Sequence, residues 1–437
     1  MSRLWDKGGK TNALALAFTV GDDYAIDQRL IAFDIAGSIA HVTALAASGF
    51  ITNSELNKLM AAYATVEREA ESGKLVVTPE QEDCHTAIEQ RLTALLGPLG
   101  AKIHTGRSRN DQVVTMLRLA MRERALDTVK HLAGLVNALL GLARRYPDQP
   151  MPGYTHMQRA MPSSVAAWAL GYAEVLCERA EALLGWRKHA SRSALGSAAG
   201  YGVPLKLDRK AAASAMGFEH VQAVTAVQLT RGLDELALTQ HLALVGIVVS
   251  RMAADLVLFA TREYGFAKLP AELTTGSSIM PNKSNPDLFE LMRARGAGLS
   301  AHPAAIAPVL AGLPGGYQRD LQIIKKSLVS ALDECGMLLE AAALGVSGVV
   351  FDAEACKRAM APELYATAYA YRLVREEKVP FREAYKKAAA EPTNWKPGFF
   401  EKGADSADSP DYTKRLAASI AKRVAALDAE EPVSKRR

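Results

Sequence analysis

The chain has 437 residues, of which 49% are hydrophobic, 23% charged and 6% aromatic, and its formal net charge is +5. This length allows two or three subdomains around a large core. The small, scattered positive excess argues against nucleic-acid binding and is compatible with an anionic small substrate. Abundant Ala and Leu with few aromatic residues favour helices over sheets.

Composition also predicts the compartment. The four cysteines show no Cys-x-x-Cys and no metal-ligand spacing, which is typical of reduced thiols in the cytoplasm. They are Cys84, Cys177, Cys335 and Cys356. Residues 1–9 lack the apolar core of a signal peptide, and residues 434–437 are expected to form a solvated basic tail. The most apolar window, 242–260, is interrupted by Arg251 and Asp255, which favours a buried helix over a membrane span.

Hydrophobic spacing predicts an all-α chain with few strands. Long helices are predicted over 34–48, 111–145, 162–188, 229–264, 287–301 and 320–346. Pro147 is expected to end the second of these, Pro162 to lie in the first turn of the third, and Pro303 to close the helix at 287–301. Shorter helices are predicted at 353–360, 363–377, 381–390 and in a last segment up to 427.

These patterns predict an N-terminal helical domain at 1–104, a central long-helix bundle at 105–350 and a small C-terminal helical domain at 351–437. Helices of about 30 residues span about 45 Å, which is too long for an ordinary compact monomer. Their limited polar faces therefore predict a bundle whose remaining apolar surface is buried by other subunits. The predicted loops gather at the ends of such a bundle, where sites form. They are 97–110, 146–161, 191–207, 266–286 and 312–319.

The first polar signals lie on either side of residue 100. Asp34, Ser38 and His41 share one face of the predicted helix at 34–48, but polar helix faces are common, so this signal is weak alone. The segment 102–112 is stronger, because Arg107 and Arg109 lie just before a long helix, and guanidiniums and helix N-termini both favour carboxylates. The structural alternative is a helix start capped by Ser108 or Asn110, with Asp111 in its first turn.

The segment 153–159 places His156 in a polar loop between Pro152 and Pro162, beside Thr155 and Gln158. A lone histidine is usually structural, but histidine changes charge near neutral pH, so an acid–base role is plausible here. Glu290 is the candidate carboxylate to orient it, although sequence alone cannot place the two side chains together.

The most informative loop is 276–286. Gly276 turns freely, while Pro281 and Pro286 bar a regular helix, so the segment is a loop. It carries the adjacent hydroxyls of Ser277 and Ser278, followed by Lys283, and could hold an anion or activate a hydroxyl. On composition alone a flexible connector is the simpler interpretation.

A last cluster follows the Gly/Pro-rich segment 312–316. Gln318, Gln322 and Lys325 recur at i, i+4 and i+7, so they are predicted to share a helix face near its start. From spacing alone, a solvated face and a binding face are equally good interpretations.

Together these segments resemble the argininosuccinate lyase branch of the fumarase/aspartase superfamily, whose members split fumarate from a substituted succinate. The motifs 34–41, 108–112 and 317–325 resemble this branch, whereas 155–158 and 276–286 are shared more broadly. The resemblance is ordered over residues 1–350 and looser beyond. It implies an all-α long-helix bundle in a homotetramer with sites shared between subunits. It also implies an anti elimination that releases arginine and fumarate without metal or organic cofactor.

The resemblance also implies the role of individual residues. Ser277 would remove the Cβ proton of the succinyl moiety, and Lys283 with loop amides would stabilise the resulting aci-carboxylate. His156, paired with Glu290, would serve proton transfer to the leaving nitrogen or orient the site. The residues implied in substrate binding are Ser38, Ser108, Arg109, Asn110, Thr155, Gln158, Ser278, Asn285, Tyr317, Gln322 and Lys325. Among them, Lys325 is the cation expected at the α-carboxylate of the leaving arginine.

Four departures from the family pattern bear on the leaving group. Ser284 stands where a second Lys is usual, Ile323-Ile324 where an acidic pair is usual, and residues 18–24 lack the usual Ser/Phe-Asp-Arg pattern. The loop at 403–411 is also more acidic than expected. A lyase acting on another N-substituted aspartate therefore stays open. An inactive structural protein on the same scaffold is the non-enzymatic alternative, against which the presence of Ser277, His156 and Lys283 argues.

Overall fold

The computed structural model describes residues 12–397 and 404–431. Residues 1–9 and 434–437, on which the predictions about a signal peptide and a basic tail rest, lie outside this range, as does Gly403, the first residue of the acidic loop at 403–411. The described residues are predominantly helical. The helices are α1 (Ala13–Val20), α2 (Asp23–Gln28), α3 (Ile31–Ala47), α4 (Asn53–Glu71), α5 (Cys84–Leu96), α6 (Pro98–Ala101), α7 (Arg109–Arg145), α8 (Val165–His189), α9 (Arg209–Ala215), α10 (Val224–Thr230), α11 (Leu233–Phe259), α12 (Asp287–Gly298), α13 (Ala301–Ala311), α14 (Ile324–Gly348), α15 (Ala353–Arg358), α16 (Ala366–Glu377), α17 (Phe381–Ala390) and α18 (Pro410–Asp428).

The strands form three two-stranded pairs. They are β1 (Pro150–Thr155) with β2 (Gln158–Ser164), β3 (Arg192–Ser193) with β4 (His220–Val221), and β5 (Ala267–Lys268) with β6 (Val350–Phe351). The first and last pairs are antiparallel, and the middle pair is parallel. The all-α prediction is confirmed, with strands confined to short connections.

The long helices α7, α8, α11 and α14 pack against one another and carry most of the core. The 37 residues of α7 rise about 1.5 Å each, so this helix is about 55 Å long. Near its start, Arg118 pairs with Asp234 in the first turn of α11. Near its other end, Arg145 donates to the carbonyl of Val349, just beyond α14. The helices α11 and α14 therefore run alongside α7 in the same direction.

The bundle consequently has two ends. The proximal end comprises the start of α7, the starts of α11 and α14, and the helices α2 and α3 that pack beside them. The distal end comprises the β1–β2 hairpin and the segment 260–286. Tyr264 and Tyr154 join these two parts, with ring centroids 5.5 Å apart. Every residue with a predicted role lies at one of these ends or in the first turns next to it.

Several predicted boundaries were wrong. Residues 150–164 form a hairpin, so Pro162 lies in β2 and the following helix begins at Val165. The predicted helix at 229–264 is divided, because Gly232 adopts a φ of 86° between α10 and α11. Pro303 does not end the helix predicted at 287–301. That helix, α12, already ends at Gly298, and Pro303 lies in the first turn of α13, where proline is tolerated. Residues 319–322 form a 3-10 turn before α14, so Gln318, Gln322 and Lys325 do not share one regular helix.

The C-terminal segment divides between two packing environments. The helices α16 and α17 enclose a small core of their own. By contrast, α18 packs on α7 and α8, and Ile420, Val424 and Leu427 belong to the main core. The boundaries predicted at residues 104 and 350 therefore stay predictions, and the last helix is part of the central packing.

An exposed apolar face lies on the bundle helices α11, α12 and α14. It comprises Leu244, Ile247, Leu291, Met337 and Leu344, each between 42% and 60% exposed. Among the described helices, α11 alone is long and apolar enough to cross a membrane, but half of its apolar window is buried inside the protein. Burial of this kind is typical of a core helix, and we interpret α11 as one.

Candidate active site

The proximal end contains a cavity of about 170 Å³ between α2, the start of α7 and the segment before α14. Five residues predicted to bind substrate line it together, although they come from segments more than 200 positions apart. These residues are Arg109, Asn110, Tyr317, Gln322 and Lys325. The remaining lining residues are Asp23, Asp27, Asp83, Val113, Arg231 and Arg319.

The start of α7 is fixed by a capping box. The hydroxyl of Ser108 accepts from the backbone N–H of Asn110, and the carboxylate of Asp111 accepts from the N–H of Ser108 at 3.0 Å. The other oxygen of Asp111 accepts from the N–H groups of Gly196 and Ala198 at 2.9 and 2.8 Å. Burial raises the pKa of Asp111 to about 6, although the hydrogen bonds from these three N–H groups act to lower it. The predicted cap is therefore present, and it holds Arg109 and Asn110 at the cavity.

Lys325 is buried in a pair of carboxylates. Its Nζ lies 2.6 Å from Asp23 and 2.7 Å from Asp27, and Lys325 is only 2% exposed. Burial raises the pKa of Asp23 to about 6, and the Lys325 charge opposes this shift. The lysine predicted to bind a substrate carboxylate thus lines the cavity with its charge already balanced.

The helix α3 lies behind the cavity and carries a buried polar layer. Asp34 accepts from Gln112 at 2.9 Å and pairs with His85 at 2.9 Å. The ring of His41 lies 2.9 Å from the carbonyl of Thr105, and burial lowers the pKa of His41 to about 3. This layer supports the loop that precedes α7.

Ser38 belongs to the same buried layer. Its hydroxyl accepts from Arg107 at 2.7 Å, and Ser38 is only 1% exposed. It is not among the residues that line the cavity of this chain, so its contact with substrate stays a prediction. Within this chain, Ser38 therefore positions Arg107.

One group of possible metal ligands lies beside the cavity. Within the described part of the chain, Asp27, Cys84 and His85 place ligand atoms within 4.8 Å of one another. The ammonium of Lys325 already lies 2.7 Å from Asp27, and His85 is paired with Asp34. The charge of this cluster is balanced by protein groups, so it does not favour a metal ion.

At the distal end, His156 lies at the tip of the β1–β2 hairpin. The register pairs Thr155 with Gln158, which leaves His156 and Met157 as a two-residue turn. Both have positive φ, 53° and 59°, which a type I′ turn requires and which costs free energy in residues other than glycine. The hairpin thus presents Thr155, His156 and Gln158 at an exposed tip.

The 276–286 loop folds around Ser277. Its neck is closed by backbone hydrogen bonds between Thr275 and Asn285 at 2.7 and 3.2 Å. The hydroxyl oxygen of Ser277 accepts from the N–H groups of Ile279 and Met280 at 3.3 and 3.1 Å. Two amide donors at one hydroxyl oxygen stabilise the negative charge that forms when this hydroxyl loses its proton.

The other predicted residues of this end surround that loop. Ser278 and Lys283 are exposed, whereas Asn285 is half-buried and donates to the carbonyl of Gly276 at 3.3 Å. Glu290 is exposed in the first turn of α12. Among the described residues of one chain, no hydrogen bond joins Glu290 to His156. The predicted pairing of these two side chains stays a prediction.

A single chain does not bring the two halves of the site together. Arg109 begins α7, whereas the hairpin that carries His156 follows its end, about 55 Å away along the helix. The loop with Ser277 lies at the distal end as well, since Arg262 beside the hairpin donates to the carbonyl of Asn282 at 3.2 Å.

Six residues of the proximal cavity were not among the predicted site residues. They are the carboxylates Asp23, Asp27 and Asp83, the cations Arg231 and Arg319, and Val113. The guanidinium of Arg231 lies over the Tyr317 ring at 4.9 Å. Asp23 lies in the segment 18–24, whose departure from the family pattern assigned it no role. Arg231 gave no signal beyond its place before Gly232.

Comparisons with known proteins agree with this architecture. A family model described as Lyase matches residues 8–298. The argininosuccinate lyase of Sorangium cellulosum (strain So ce56) is 44% identical over 390 residues, which cover 89% of this chain and 90% of that protein. The argininosuccinate lyase of Thermotoga neapolitana is 38% identical over 388 residues, covering 89% of this chain and 97% of that protein.

Solved structures show the same fold at low sequence identity. EDDS lyase in complex with formate superposes with a TM-score of 0.77 at 21% identity, covering 96% of this chain and 92% of that chain. A class II fumarase from Schistosoma mansoni superposes with a TM-score of 0.69 at 17% identity, covering 86% and 91%. These similarities establish the fold and carry no argument about the substrate.

Proposed function

The chain belongs to this lyase family, and we propose that it is an argininosuccinate lyase, which cleaves argininosuccinate to L-arginine and fumarate. The observation that carries the proposal is the identity of 38–44% with argininosuccinate lyases over nearly nine-tenths of the chain. The residues predicted for both halves of the substrate are present in this chain. The reaction is the cleavage of a carbon–nitrogen bond by anti β-elimination.

The proposed chemistry begins at Ser277. In its deprotonated form, with the alkoxide stabilised by the amides of Ile279 and Met280, Ser277 would act as the base and take up the Cβ proton of the succinyl moiety. A proton beside a carboxylate is weakly acidic, so the doubly charged carboxylate that results needs preorganised donors such as Lys283. His156 would deliver a proton to the leaving nitrogen or orient the group that does so, and Glu290 would orient His156.

We further propose that the active protein is a homotetramer whose sites are shared between subunits. The length of α7 separates the residues expected at the leaving amino acid from Ser277 and His156 in any one chain. The exposed apolar face on α11, α12 and α14 supports association, because apolar area of this kind is usually buried by a partner. In such an assembly, the distal loops of one chain would meet the proximal cavity of another.

The cytoplasm is the proposed compartment. All four cysteines are buried and unpaired, which fits a reducing environment. Arginine biosynthesis is the process to which the proposed reaction belongs.

The leaving amine is the part of the proposal most open to change. Ile323 stands where the family usually has an acidic residue, and it is 65% exposed beside the α2 segment. An apolar side chain in place of a carboxylate at this position would suit a leaving amine that carries less positive charge than arginine. The same elimination on another N-substituted aspartate is therefore the second candidate function.

A substrate panel tests the proposal. Purified protein is mixed in parallel with argininosuccinate, adenylosuccinate, malate and aspartate, and fumarate is followed by its ultraviolet absorbance. We expect fumarate and equimolar arginine from argininosuccinate, with the highest kcat/KM of the panel. A hundredfold preference for another substrate would replace the named activity and retain the elimination, whereas no fumarate from any of them would favour an inactive scaffold.

A further inference from the structure

The proximal cavity is lined by four cationic side chains. Three of them are ion-paired within the chain: Arg109 with Asp83, Arg319 with Glu82, and Lys325 with Asp23 and Asp27. The fourth is Arg231. No hydrogen bond or ion pair connects its guanidinium to another side chain in the ranges 12–397 and 404–431, and the buried Nε and Nη1 atoms both lack an acceptor there.

Arg231 is nevertheless deeply buried. Only 6% of the residue is exposed, and it follows α10 directly at the point where Gly232 turns the chain into α11. Its guanidinium carbon lies 4.9 Å from the centroid of the Tyr317 ring, which lines the same cavity. Stacking of this kind stabilises the cation and fixes the plane of the guanidinium, while the N–H edges stay available for hydrogen bonds.

A buried cation without a bonded counter-charge is costly. Removing a guanidinium from water is compensated only when an anion and several acceptors replace the lost hydration. The nearby carboxylate of Glu235 does not supply this, because it accepts from the backbone N–H of Gly232 at 2.8 Å and caps α11. An anion that enters the cavity would therefore gain from a cation that is already desolvated and oriented.

The mixture of positive and negative side chains that line the cavity limits the chemical class of the anion that can bind there. Three carboxylates, Asp23, Asp27 and Asp83, line the cavity together with Arg231. Together with the four cationic side chains they give a lining of mixed sign, which suits the ammonium and carboxylate of an amino acid better than a dianion such as fumarate. A zwitterionic amino acid presents one carboxylate beside cationic groups, and this matches the mixed charges of the cavity.

We propose that Arg231 binds the α-carboxylate of the amino acid that leaves in the reaction, through the guanidinium edge that the Tyr317 ring leaves open. This inference rests on the proposed function, because it takes argininosuccinate as substrate and arginine as the leaving product. It assigns to Arg231 the contact that the motif pattern had given to Lys325, whose charge is held by Asp23 and Asp27.

The test compares Arg231→Gln with the wild type in binding arginine and agmatine, which lacks only the α-carboxylate. Both are titrated calorimetrically in the presence of fumarate, so the readout does not depend on turnover. The wild type should bind arginine more tightly than agmatine. In Arg231→Gln the affinity for arginine should fall on the order of 10- to 100-fold, as for a lost charge-assisted hydrogen-bonded pair, with agmatine changed less than about threefold.

Arg319→Gln is the matched control, since Arg319 lines the same cavity and is paired with Glu82. It should keep the preference for arginine over agmatine. Thermal unfolding provides a second readout: without ligand, Arg231→Gln should melt at or above the wild-type temperature, because a buried unpaired charge has been removed. Arginine should then raise the melting temperature of the wild type and leave that of the variant unchanged.

The outcomes separate this inference from the proposed function. If the wild type splits argininosuccinate but Arg231→Gln keeps the preference for arginine, Arg231 does not bind the carboxylate and the inference alone is overturned. A lower melting temperature of Arg231→Gln with unchanged arginine affinity would overturn it as well and assign Arg231 a structural role. A wild type that neither releases fumarate from argininosuccinate nor binds arginine would overturn the proposed function.

Discussion

The two ends of α7 differ in how many of their polar side chains already have hydrogen-bond or ion-pair partners within the chain. At the proximal end, Asp111 accepts three backbone N–H groups and Lys325 lies between two carboxylates. At the distal end, His156 and Ser278 are exposed, on a hairpin tip and a loop. The difference is consistent with the proposed function, in which the proximal end would be a preorganised receptor for the amino acid and the distal end would supply the chemistry once chains assemble.

If the two ends have these different roles, removing a catalytic side chain from the distal end should reduce turnover without reducing the stability of the fold. Ser277→Ala should lower kcat by about 10²-fold or more, because a general base is lost, while substrate affinity changes little. Its melting temperature should equal that of the wild type, since the hydroxyl lies on a half-exposed loop. Steady-state kinetics and thermal unfolding measure both. A variant that kept more than about a tenth of wild-type kcat would remove Ser277 from the role of base.

Loss of subunit association should reduce activity as much as loss of a catalytic group, because each proposed site needs a proximal end and a distal end from different chains. Ile247→Glu places a charge in the exposed apolar face, where burial of an unpaired carboxylate would prevent association. We expect smaller particles by light scattering and loss of most activity, with helical content retained. Met60→Glu on α4 is the control for a new charge at an exposed apolar residue outside this face. A stable, fully active monomer would show that the two ends need not meet.

Stability should respond at the proximal end. Asp111→Ala leaves the N–H groups of Ser108, Gly196 and Ala198 without their acceptor, and we expect a loss of about 3 kcal/mol, at roughly 1 kcal/mol for each donor. Asp127→Ala, an exposed carboxylate on the same helix, should change stability by less than about 0.5 kcal/mol. Equal melting temperatures of the two variants would contradict the preorganised proximal end.

A smaller effect is expected from pH. The pKa of His41 is lowered to about 3 in the folded protein, so between this value and the usual pKa near 6.5 the unfolded chain binds the extra proton. Stability should therefore fall as pH decreases below about 6.5, by about 2 kcal/mol at pH 5 from this group. The positive charge of Arg107 lowers the pKa of His41 as well. His41→Gln should melt with a weaker dependence on pH between 7 and 5, and an unchanged dependence would exclude His41 as the source.

The sequence was most informative where the information is local. The cap of Ser108 and Asp111 and the loop at 276–286 follow from residue types a few positions apart, and both were predicted. The hairpin was not, because its two-residue turn is His156-Met157 and lacks the Asn-Gly or Asp-Gly signal that marks such turns.

Long-range pairing was beyond sequence reasoning. Lys325 is bonded to Asp23 and Asp27 across about 300 positions, and no periodicity within a helix encodes that contact. Arg231 became a candidate only when burial and the lack of a bonded partner could be seen together. The same limit applies to Ser38, whose hydrogen bond with Arg107 spans 69 positions and is not indicated by any local pattern.

The most direct test of the central claim, that the proximal end of one chain and the distal end of another form each site, is subunit mixing. Ser277→Ala is combined with Asn110→Asp, which puts a negative charge where a substrate carboxylate is expected, and exchange between the two is verified. Random assortment of equal amounts should restore about a quarter of wild-type activity, since that share of sites receives both wild-type ends. Activity no higher than the sum of the separate variants after verified exchange would mean that both ends of a site come from one chain.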